Sequence, residues 1–439
     1  MKASAPNLAL HPRRSLSAVS LHKAVQVAGL VVTVVLVPRL FGAEDYGRFA
    51  FVLSLAYLGQ ILGDFGTLDV MGRFVPGLTA AEAGRLYMRT LALKGVVGLL
   101  AGLVTAGAAV LLGDWMRLEW ALLTGLGVTW HIIAWVPFQF ALGLNRVGVW
   151  MAEQAWRQWA LLLFLLLLLP GWGLSGALLS ILLMELIFCG LGWWWVRDYW
   201  QAAELRLEWD YLWPFLKFGA GFFLANLAAV ALYRSGPVLV EIFTGQPAET
   251  GYFNLALGLF LLVYVTLSQF AQSLIPALSS FRSQGQADQL RLWLSQFIRY
   301  GWLAGWLGVI AVWLVADWGV PLIFGNDFGP AAVALKWISL AFPLAALLWA
   351  GNVLATVVGQ GRLKFGASLL GLLVFATMAA WLAPGYGAAG AAVALVWSTV
   401  ASVMALGLLL RPEFSLPWPM LGVSSVIGAA ILLVISSIG

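Results

Sequence analysis

The chain has little charge and almost no cysteine. Only 10% of its 439 residues are Asp, Glu, Lys or Arg, whereas ordinary soluble domains contain about 25%. Charge this sparse excludes a soluble globular protein. The single cysteine, Cys189, excludes a disulfide framework and a thiolate metal site.

Catalytic signatures are also missing. The sequence has no Walker A loop and no zinc-type His/Cys cluster, and its three histidines suggest no hydrolytic triad. No long hydrophilic loop is available to hold an acceptor. We therefore predict that the protein is not an enzyme and uses no cofactor or metal. A membrane glycosyltransferase or ligase stays open as an alternative.

Long apolar runs dominate the sequence. Hydrophobic residues make up 62% of the chain, and the mean hydropathy is +0.93. Thirteen runs are long enough to cross a bilayer, which takes about 20 residues each. The runs cover residues 16–38, 46–69, 86–112, 118–144, 148–169, 174–196, 212–241, 250–278, 296–323, 331–358, 363–382, 386–410 and 418–438. Because helices satisfy their own backbone groups in lipid, the sequence predicts an all-α polytopic membrane protein.

The basic residues predict the orientation of the chain. With the N-terminus in the cytoplasm, all but five of the 24 Lys and Arg residues lie on the cytoplasmic side. The exceptions are Arg39, Arg48, Arg117, Arg234 and Lys336. This bias follows the positive-inside rule for the cytoplasmic (inner) membrane. The basic residues then face anionic membrane lipids, so the pI of about 9.4 requires no nucleic acid partner.

A long segment occurs twice. Arg146–Ala177 ends in Pro170-Gly-Trp-Gly-Leu-Ser-Gly-Ala, and Arg362–Ala391 ends in Pro384-Gly-Tyr-Gly-Ala-Ala-Gly-Ala. One two-residue gap aligns Arg146 with Arg362. Internal repeats of this size in an apolar chain are typical of transporters, in which two halves move about a shared site.

The outer turns repeat as well. Phe41-Gly-Ala-Glu-Asp-Tyr-Gly47 joins the first two runs, and Phe243-Thr-Gly-Gln-Pro-Ala-Glu-Thr-Gly251 joins runs seven and eight. Equivalent points are six runs apart, so the halves have the same orientation about a pseudo-twofold axis along the membrane normal. We predict an N-terminal six-helix lobe (1–196), a cytoplasmic linker (197–211), a C-terminal six-helix lobe (212–410) and an additional transmembrane helix (411–439).

These motifs carry a family resemblance. The turn ending at Gly47, the Gly63-Asp-Phe-Gly66 end of run two, the Leu322-Ile-Phe-Gly turn and the Gly-Gln-Gly-Arg362 start of run eleven resemble polysaccharide exporters of the multidrug/oligosaccharidyl-lipid/polysaccharide (MOP) superfamily. The resemblance implies two six-helix lobes around a central cavity, alternating access, and a polyprenyl-diphosphate-linked oligosaccharide as substrate. It also implies polysaccharide polymerase or assembly proteins as partners. A cation-coupled multidrug antiporter of the same superfamily stays an alternative.

Polar residues inside the runs are candidates for contact with the substrate. An ionisable side chain in mid-membrane costs about 2.5–3.5 kcal/mol on insertion scales, so it usually faces a cavity or a partner. A guanidinium suits a diphosphate, although Arg234 could instead snorkel or pair with Glu241. The candidate substrate-binding residues are Arg234, Lys23, Asn226, Gln269, Gln272 and Asn352.

A second group of candidates concerns ion or proton coupling. Glu185 and His131 lie near the centres of runs six and four, and both side chain types exchange protons. A structural hydrogen-bonded pair, or a lining residue without a coupling role, is the alternative. Asp64, at the end of run two near Arg73, is the third candidate, with an interfacial ion pair or a helix cap as the alternative. Arg157 follows Glu153 by four residues, a helical spacing that predicts an ion pair.

Overall fold

Helices account for the regular structure of the residues described. The computed structural model describes residues 12–410, without the side chains of residues 12–21, 23, 222, 225, 269, 270, 272, 273, 276, 277 and 361. The α-helices are α1 (Pro12–Phe41), α2 (Ala43–Leu62), α3 (Thr67–Phe74), α4 (Ala80–Leu112), α5 (Leu118–Gly143), α6 (Val147–Val196), α7 (Trp209–Thr244), α8 (Pro247–Ser273), α9 (Ile275–Ser283), α10 (Ala287–Phe324), α11 (Ala331–Ser339), α12 (Ala341–Val357) and α13 (Gly361–Leu409). The all-α polytopic fold predicted from the sequence is confirmed.

Two of these helices are hairpins. α6 has 50 residues and α13 has 49, and at about 1.5 Å per residue each would be more than twice as long as the bilayer core is thick. Each breaks at a glycine outside the helical region, Gly173 (φ 54°, ψ −135°) and Gly387 (φ 53°, ψ −135°). A Cβ on Gly390 would lie 2.5 Å from the carbonyl oxygen of Leu382. Residues so spaced are about 12 Å apart in a continuous helix, so the chain folds back on itself.

At the starts of α6 and α13, equivalent residues of the internal repeat are a constant 214 positions apart. Asn145 and Gly359, which precede α6 and α13, have φ of 60° and 78°. The residues that follow them, Arg146 and Gln360, each donate the backbone N–H to the carbonyl five residues earlier at 2.8 Å. The two-residue gap in the sequence alignment was therefore wrong. Arg146 corresponds to Gln360, and Arg362 lies two positions further along, in the first turn of α13.

Two further spans are bent rather than folded back. α2 meets α3 at 44°, and α11 meets α12 at the same angle. The first bend passes through Phe65 and Gly66, whose φ values are 51° and 66°. It leaves carbonyl groups without helical partners, and the ammonium of buried Lys94 donates to those of Gly63 and Asp64, the second at 2.7 Å. Because lipid offers no water to these groups, Lys94 stabilises the bend.

The helices account for twelve crossings. Eight helices of the described residues are long and apolar enough to span a membrane, and the two bent pairs bring the segments to ten. α6 and α13 fold back and supply two crossings apiece. Twelve of the thirteen predicted runs thus correspond to observed helices. Run thirteen, and with it the additional helix at 411–439, lies outside the described residues.

The described residues pack into two compact units. Unit 1 contains residues 12–33, Gly63–Ala106 and Leu118–Ala220. Unit 2 contains Val34–Leu62, Gly107–Arg117 and residues 221–410. The predicted six-helix lobes are a different division, defined by the internal repeat, and stay a prediction.

Within unit 2, α2 and α8 meet at a direct backbone contact. A Cβ on Gly47 would overlap the carbonyl oxygen of Pro247 and lie 2.9 Å from the backbone nitrogen of Gly251. One on Gly251 would lie 3.2 Å from the nitrogen of Gly47. Beside them the Asn254 side chain donates to the Tyr46 hydroxyl at 2.7 Å. The glycines of the two repeated outer turns therefore pack against each other.

This contact predicts that Gly47→Ala destabilises the protein. The new methyl group must push α2 and α8 apart, and overpacking of this kind costs about 1–3 kcal/mol. We expect a lower thermal unfolding midpoint for the purified protein in detergent. Gly72→Ala is the matched control, because a Cβ at Gly72 meets nothing within 4 Å. Equal midpoints for the two variants would contradict the contact.

Candidate functional site

Unit 2 contains a cavity of about 630 Å³. Its walls come from α7, α8, α12 and α13. The polar and aromatic residues that line it are Asn226, Tyr233, Tyr264, Trp349, Asn352, Thr356, Arg362, Lys364, Ser368 and Ser402. Asp and Glu are absent from the lining that the structure describes. The cavity is therefore neutral to cationic in character.

One wall of the cavity is aromatic. The ring centroids of Tyr233 and Tyr264 are 4.9 Å apart, and those of Tyr264 and Trp349 are 5.3 Å apart. Asn226 and Asn352, both predicted to bind substrate, line the same cavity. Apolar faces beside a few polar groups are the usual make-up of a small-molecule site. A ligand with apolar faces and many hydroxyl groups would suit this combination.

The two cations of the cavity have no acidic partner. Lys364 is half-buried and donates to the Thr356 hydroxyl. Arg362 is exposed. Among the residues that the structure describes, no carboxylate lies within ion-pair distance of either cation. The buried cation Arg89, in contrast, pairs with Glu204 and Glu208, each at 2.9 Å.

Arg234 lies elsewhere in unit 2. Its guanidinium carbon is 3.8 Å from the centroid of the Tyr57 ring, a cation–π contact worth about 0.5–2 kcal/mol. Glu241, its alternative partner, accepts instead from the Trp115 indole and the Thr250 hydroxyl, both at 2.7 Å. Arg234 is not among the residues that line the cavity. Its role in substrate binding stays a prediction.

Four further candidates lie on α1, on α8 and in the turn between α2 and α3. Lys23 lies on α1, and Gln269 and Gln272 lie on α8, but their side chains are outside the described part of the structure. Asp64 lies in the turn between α2 and α3, where its backbone carbonyl accepts from Lys94 at 2.7 Å. These residues remain untested as binding or coupling groups.

Unit 1 contains a buried ionic cluster that joins α5 to both halves of α6. His131 Nδ1 lies 2.9 Å from Glu185 Oε1, so the candidate pair for proton coupling is in contact. Arg157 Nη1 donates to both carboxylate oxygens of Glu185 at 2.5 Å, and Arg157 Nε donates to Glu153. The predicted pair of Glu153 and Arg157 is therefore present. Asp64, the third coupling candidate, is not a member of the cluster.

The charges of this cluster do not balance when His131 is neutral. Both carboxylates are buried, with Glu153 3% and Glu185 1% exposed, and a single guanidinium faces them. Arg157 Nη2 has no hydrogen-bond partner among the described residues, and Arg157 Nη1 lies 3.3 Å from His131 Nδ1. The cluster therefore holds two carboxylates and one guanidinium around an imidazole.

Several of these groups were missed in the sequence. Arg157 was paired only with Glu153, because helical spacing identifies neighbours along one helix and not Glu185 across the hairpin. Lys364 received no role, and Arg362 was treated as the counterpart of Arg146. The constant repeat offset would have shown that Arg362 has no cationic counterpart in the first half.

The fold is shared with solved structures. It is similar to "Lipid II flippase MurJ, inward closed conformation", with a TM-score of 0.73 and 13% identity over 96% of this chain and 98% of that chain. It is also similar to an inward-facing MATE multidrug resistance transporter of the MOP superfamily, with a TM-score of 0.72 and 15% identity over 89% of this chain and 94% of that one. The outward-facing MATE structure gives a TM-score of 0.59 at 15% identity, over 90% and 94% of the two chains. The protein therefore has the same fold as these structures.

The family follows from the sequence itself. The profile described as "Polysaccharide biosynthesis protein" matches residues 15–282, more than half of the chain. The chain belongs to this family, in agreement with the resemblance seen in its motifs. A comparison with curated protein sequences finds no match.

The ionic cluster predicts that Arg157→Met is strongly destabilising. The substitution leaves Glu153 and Glu185 buried without their cation, and breaking a buried pair costs about 3–5 kcal/mol. We expect less folded protein in the membrane and a lower unfolding midpoint. Adding Glu185→Gln should restore part of the loss, because the two residues are coupled.

The control for this prediction is Arg197→Met. Arg197 is an exposed residue, 3.9 Å from Asp198, and surface pairs are worth about 0–1 kcal/mol. Similar unfolding midpoints for Arg157→Met and Arg197→Met would refute a structural role for the cluster.

Proposed function

We propose that the protein is a flippase for a polyprenyl-diphosphate-linked oligosaccharide. It moves this lipid from the inner to the outer leaflet of the cytoplasmic membrane, for surface polysaccharide biosynthesis. The observation that carries the proposal is the cavity of unit 2, with its aromatic wall, two primary amides and two unpaired cations. Membership of the polysaccharide biosynthesis family and the MurJ-like fold support the same substrate class.

The lining of the cavity suits a saccharide. Ligand sites commonly enclose about 300–1,000 Å³, and 630 Å³ is within that range. The faces of sugar rings pack against aromatic rings, while the amides of Asn226 and Asn352 can exchange hydrogen bonds with sugar hydroxyls. The lipid chain need not enter the cavity, since the bilayer itself accommodates it.

Transport is by alternating access. The repeated halves, with hairpins broken at equivalent glycines, are the kind of scaffold in which two halves move as rigid bodies. In this scheme the contact between Gly47 and Gly251, with the hydrogen bond from Asn254 to Tyr46 beside it, opens when α2 and α8 separate. By the predicted topology, this contact is at the outer side and Lys364 is at the cytoplasmic side.

The ionic cluster of unit 1 is our candidate for coupling. His131 contacts Glu185 at 2.9 Å and Arg157 at 3.3 Å, and Arg157 in turn binds Glu153. The Cys189 thiol lies one turn beyond Glu185. A proton on His131 would neutralise the excess carboxylate charge. Binding and release of that proton would then favour different arrangements of α5 and α6, linking transport to a proton gradient.

The cation-coupled multidrug antiporter is the second candidate, because the MATE transporters share the fold. A cavity for cationic drugs would place carboxylates in its wall. The lining described here carries Arg362 and Lys364 and no acid. This observation favours an anionic cargo.

Depletion of the protein is the direct test of the proposed function. We expect the lipid-linked oligosaccharide to accumulate on the cytoplasmic face while surface polysaccharide falls. The lipid can be extracted, and its leaflet assigned by its accessibility to an added glycosidase. Sensitivity to cationic drugs with unchanged glycan would refute the flippase and favour the antiporter.

The amides of the cavity give a residue-level prediction. Asn352→Leu keeps the approximate volume but removes the hydrogen bonds, so we expect glycan export to fall about tenfold at equal membrane abundance. Gln201→Leu, in the predicted linker and outside the cavity lining, should leave export unchanged. Export by Asn352→Leu at the wild-type level would separate this residue from the substrate.

Coupling is tested by His131→Gln in proteoliposomes. The imidazole is the side chain whose charge changes between about pH 5 and 8, and glutamine cannot take up a proton in that range. We expect wild-type transport to respond to a pH gradient and the variant to lose that response while still binding substrate. An unchanged response in His131→Gln would exclude the cluster as the proton site.

A further inference from the structure

We propose that Arg362 and Lys364 form the diphosphate subsite of the cavity. This inference deepens the proposed function and rests on it. The ligand is the diphosphate of a polyprenyl-linked sugar, and the adjoining aromatic wall receives the first sugar. The sequence predicts substrate contacts at Arg234 and Lys23 instead.

Arg362 and Lys364 have no acidic partner among the described residues. The buried cations Arg157 and Lys94 of unit 1, in contrast, bind a carboxylate and backbone carbonyls respectively. Arg362 and Lys364 line a cavity that holds no described carboxylate, and the partner of Lys364 is a neutral hydroxyl, that of Thr356. Two cations left unpaired in a common concave site leave room for a dianion.

The side chains of Lys364 and Arg362 complement each other as donors to phosphate oxygens. The ammonium of Lys364 is a point charge with three donors, while the guanidinium of Arg362 offers a planar fork for two phosphate oxygens. Both cations lie in the first turns of α13, where the helix dipole adds to their attraction for anions.

The two cations lie beside the aromatic wall of the cavity. Trp349 and Asn352 precede Thr356 on α12 by two and one helical turns, and all three residues line the same cavity. A diphosphate at Lys364 therefore places an attached sugar towards the aromatic ring and the amide. Arg234 offers no such continuity, because it stacks on Tyr57 and does not line the cavity.

Equilibrium binding to the purified protein tests the subsite. The probes are geranylgeranyl diphosphate, geranylgeraniol, which lacks the phosphates, and phosphatidylglycerol, measured by native mass spectrometry. We expect the double variant Arg362→Gln/Lys364→Gln to bind the diphosphate at least about tenfold more weakly, with geranylgeraniol binding unchanged. Lys217→Gln, at an exposed residue outside the cavity lining, is the control of equal chemistry and should bind like wild type. Unfolding midpoints show that each variant is folded.

Three outcomes would overturn the subsite. They are wild-type affinity of the double variant for the diphosphate, loss of diphosphate binding in Arg234→Gln but not in the double variant, and equal binding of phosphatidylglycerol, which would indicate a general lipid phosphate site. None of these outcomes bears on whether depletion of the protein traps a lipid-linked glycan in the inner leaflet. The subsite can therefore fail while the proposed function stands, and the depletion experiment can fail on its own.

Discussion

The cost of leaving a charge or a backbone group unpaired in hydrocarbon governs this structure. Burial of an isolated ion costs several kcal/mol even after relaxation, and the buried ions of unit 1 are compensated accordingly. Lys94 donates to carbonyls freed where α2 ends, and Arg157 binds two carboxylates. The cations of the cavity, Arg362 and Lys364, differ in that no described carboxylate pairs with either of them.

Close backbone approach is the second constraint, and it explains why glycine recurs at fixed places. Gly173 and Gly387 adopt a conformation that lets one long apolar segment become two crossings. Gly47 and Gly251 bring the backbones of α2 and α8 into contact. Small residues at helix interfaces let backbones approach this closely. The same residue type thus serves both the hairpins and the close contact of α2 with α8.

The fold could be predicted well from the sequence, and the site only in part. Apolar runs and repeated glycine turns depend on local composition, which the sequence displays directly. The contact of Glu185 with Arg157 and the shared cavity of Asn226 and Asn352 depend on distant segments meeting, which spacing along one helix does not reveal. Lys364 was missed because a lysine near a predicted helix start is indistinguishable by sequence from one that snorkels to the membrane surface.

The constant offset of 214 residues shows how two similar halves come to differ. Applied to the ionic cluster of the first half, it gives small uncharged residues in the second: Ala345, Ala367, Gly371 and Thr399. Small residues in α12 and α13 thus occupy the positions that ionic side chains occupy in α5 and α6. Nearby, Ser402 donates to the Ala367 carbonyl at 3.0 Å and lines the cavity. The same offset, subtracted, matches Arg362 and Lys364 with Gly148 and Trp150 of the first half. A repeated scaffold therefore carries a buried ionic cluster in one half and an open, cationic cavity in the other. This asymmetry is what a transporter needs if one half responds to an ion and the other holds the cargo.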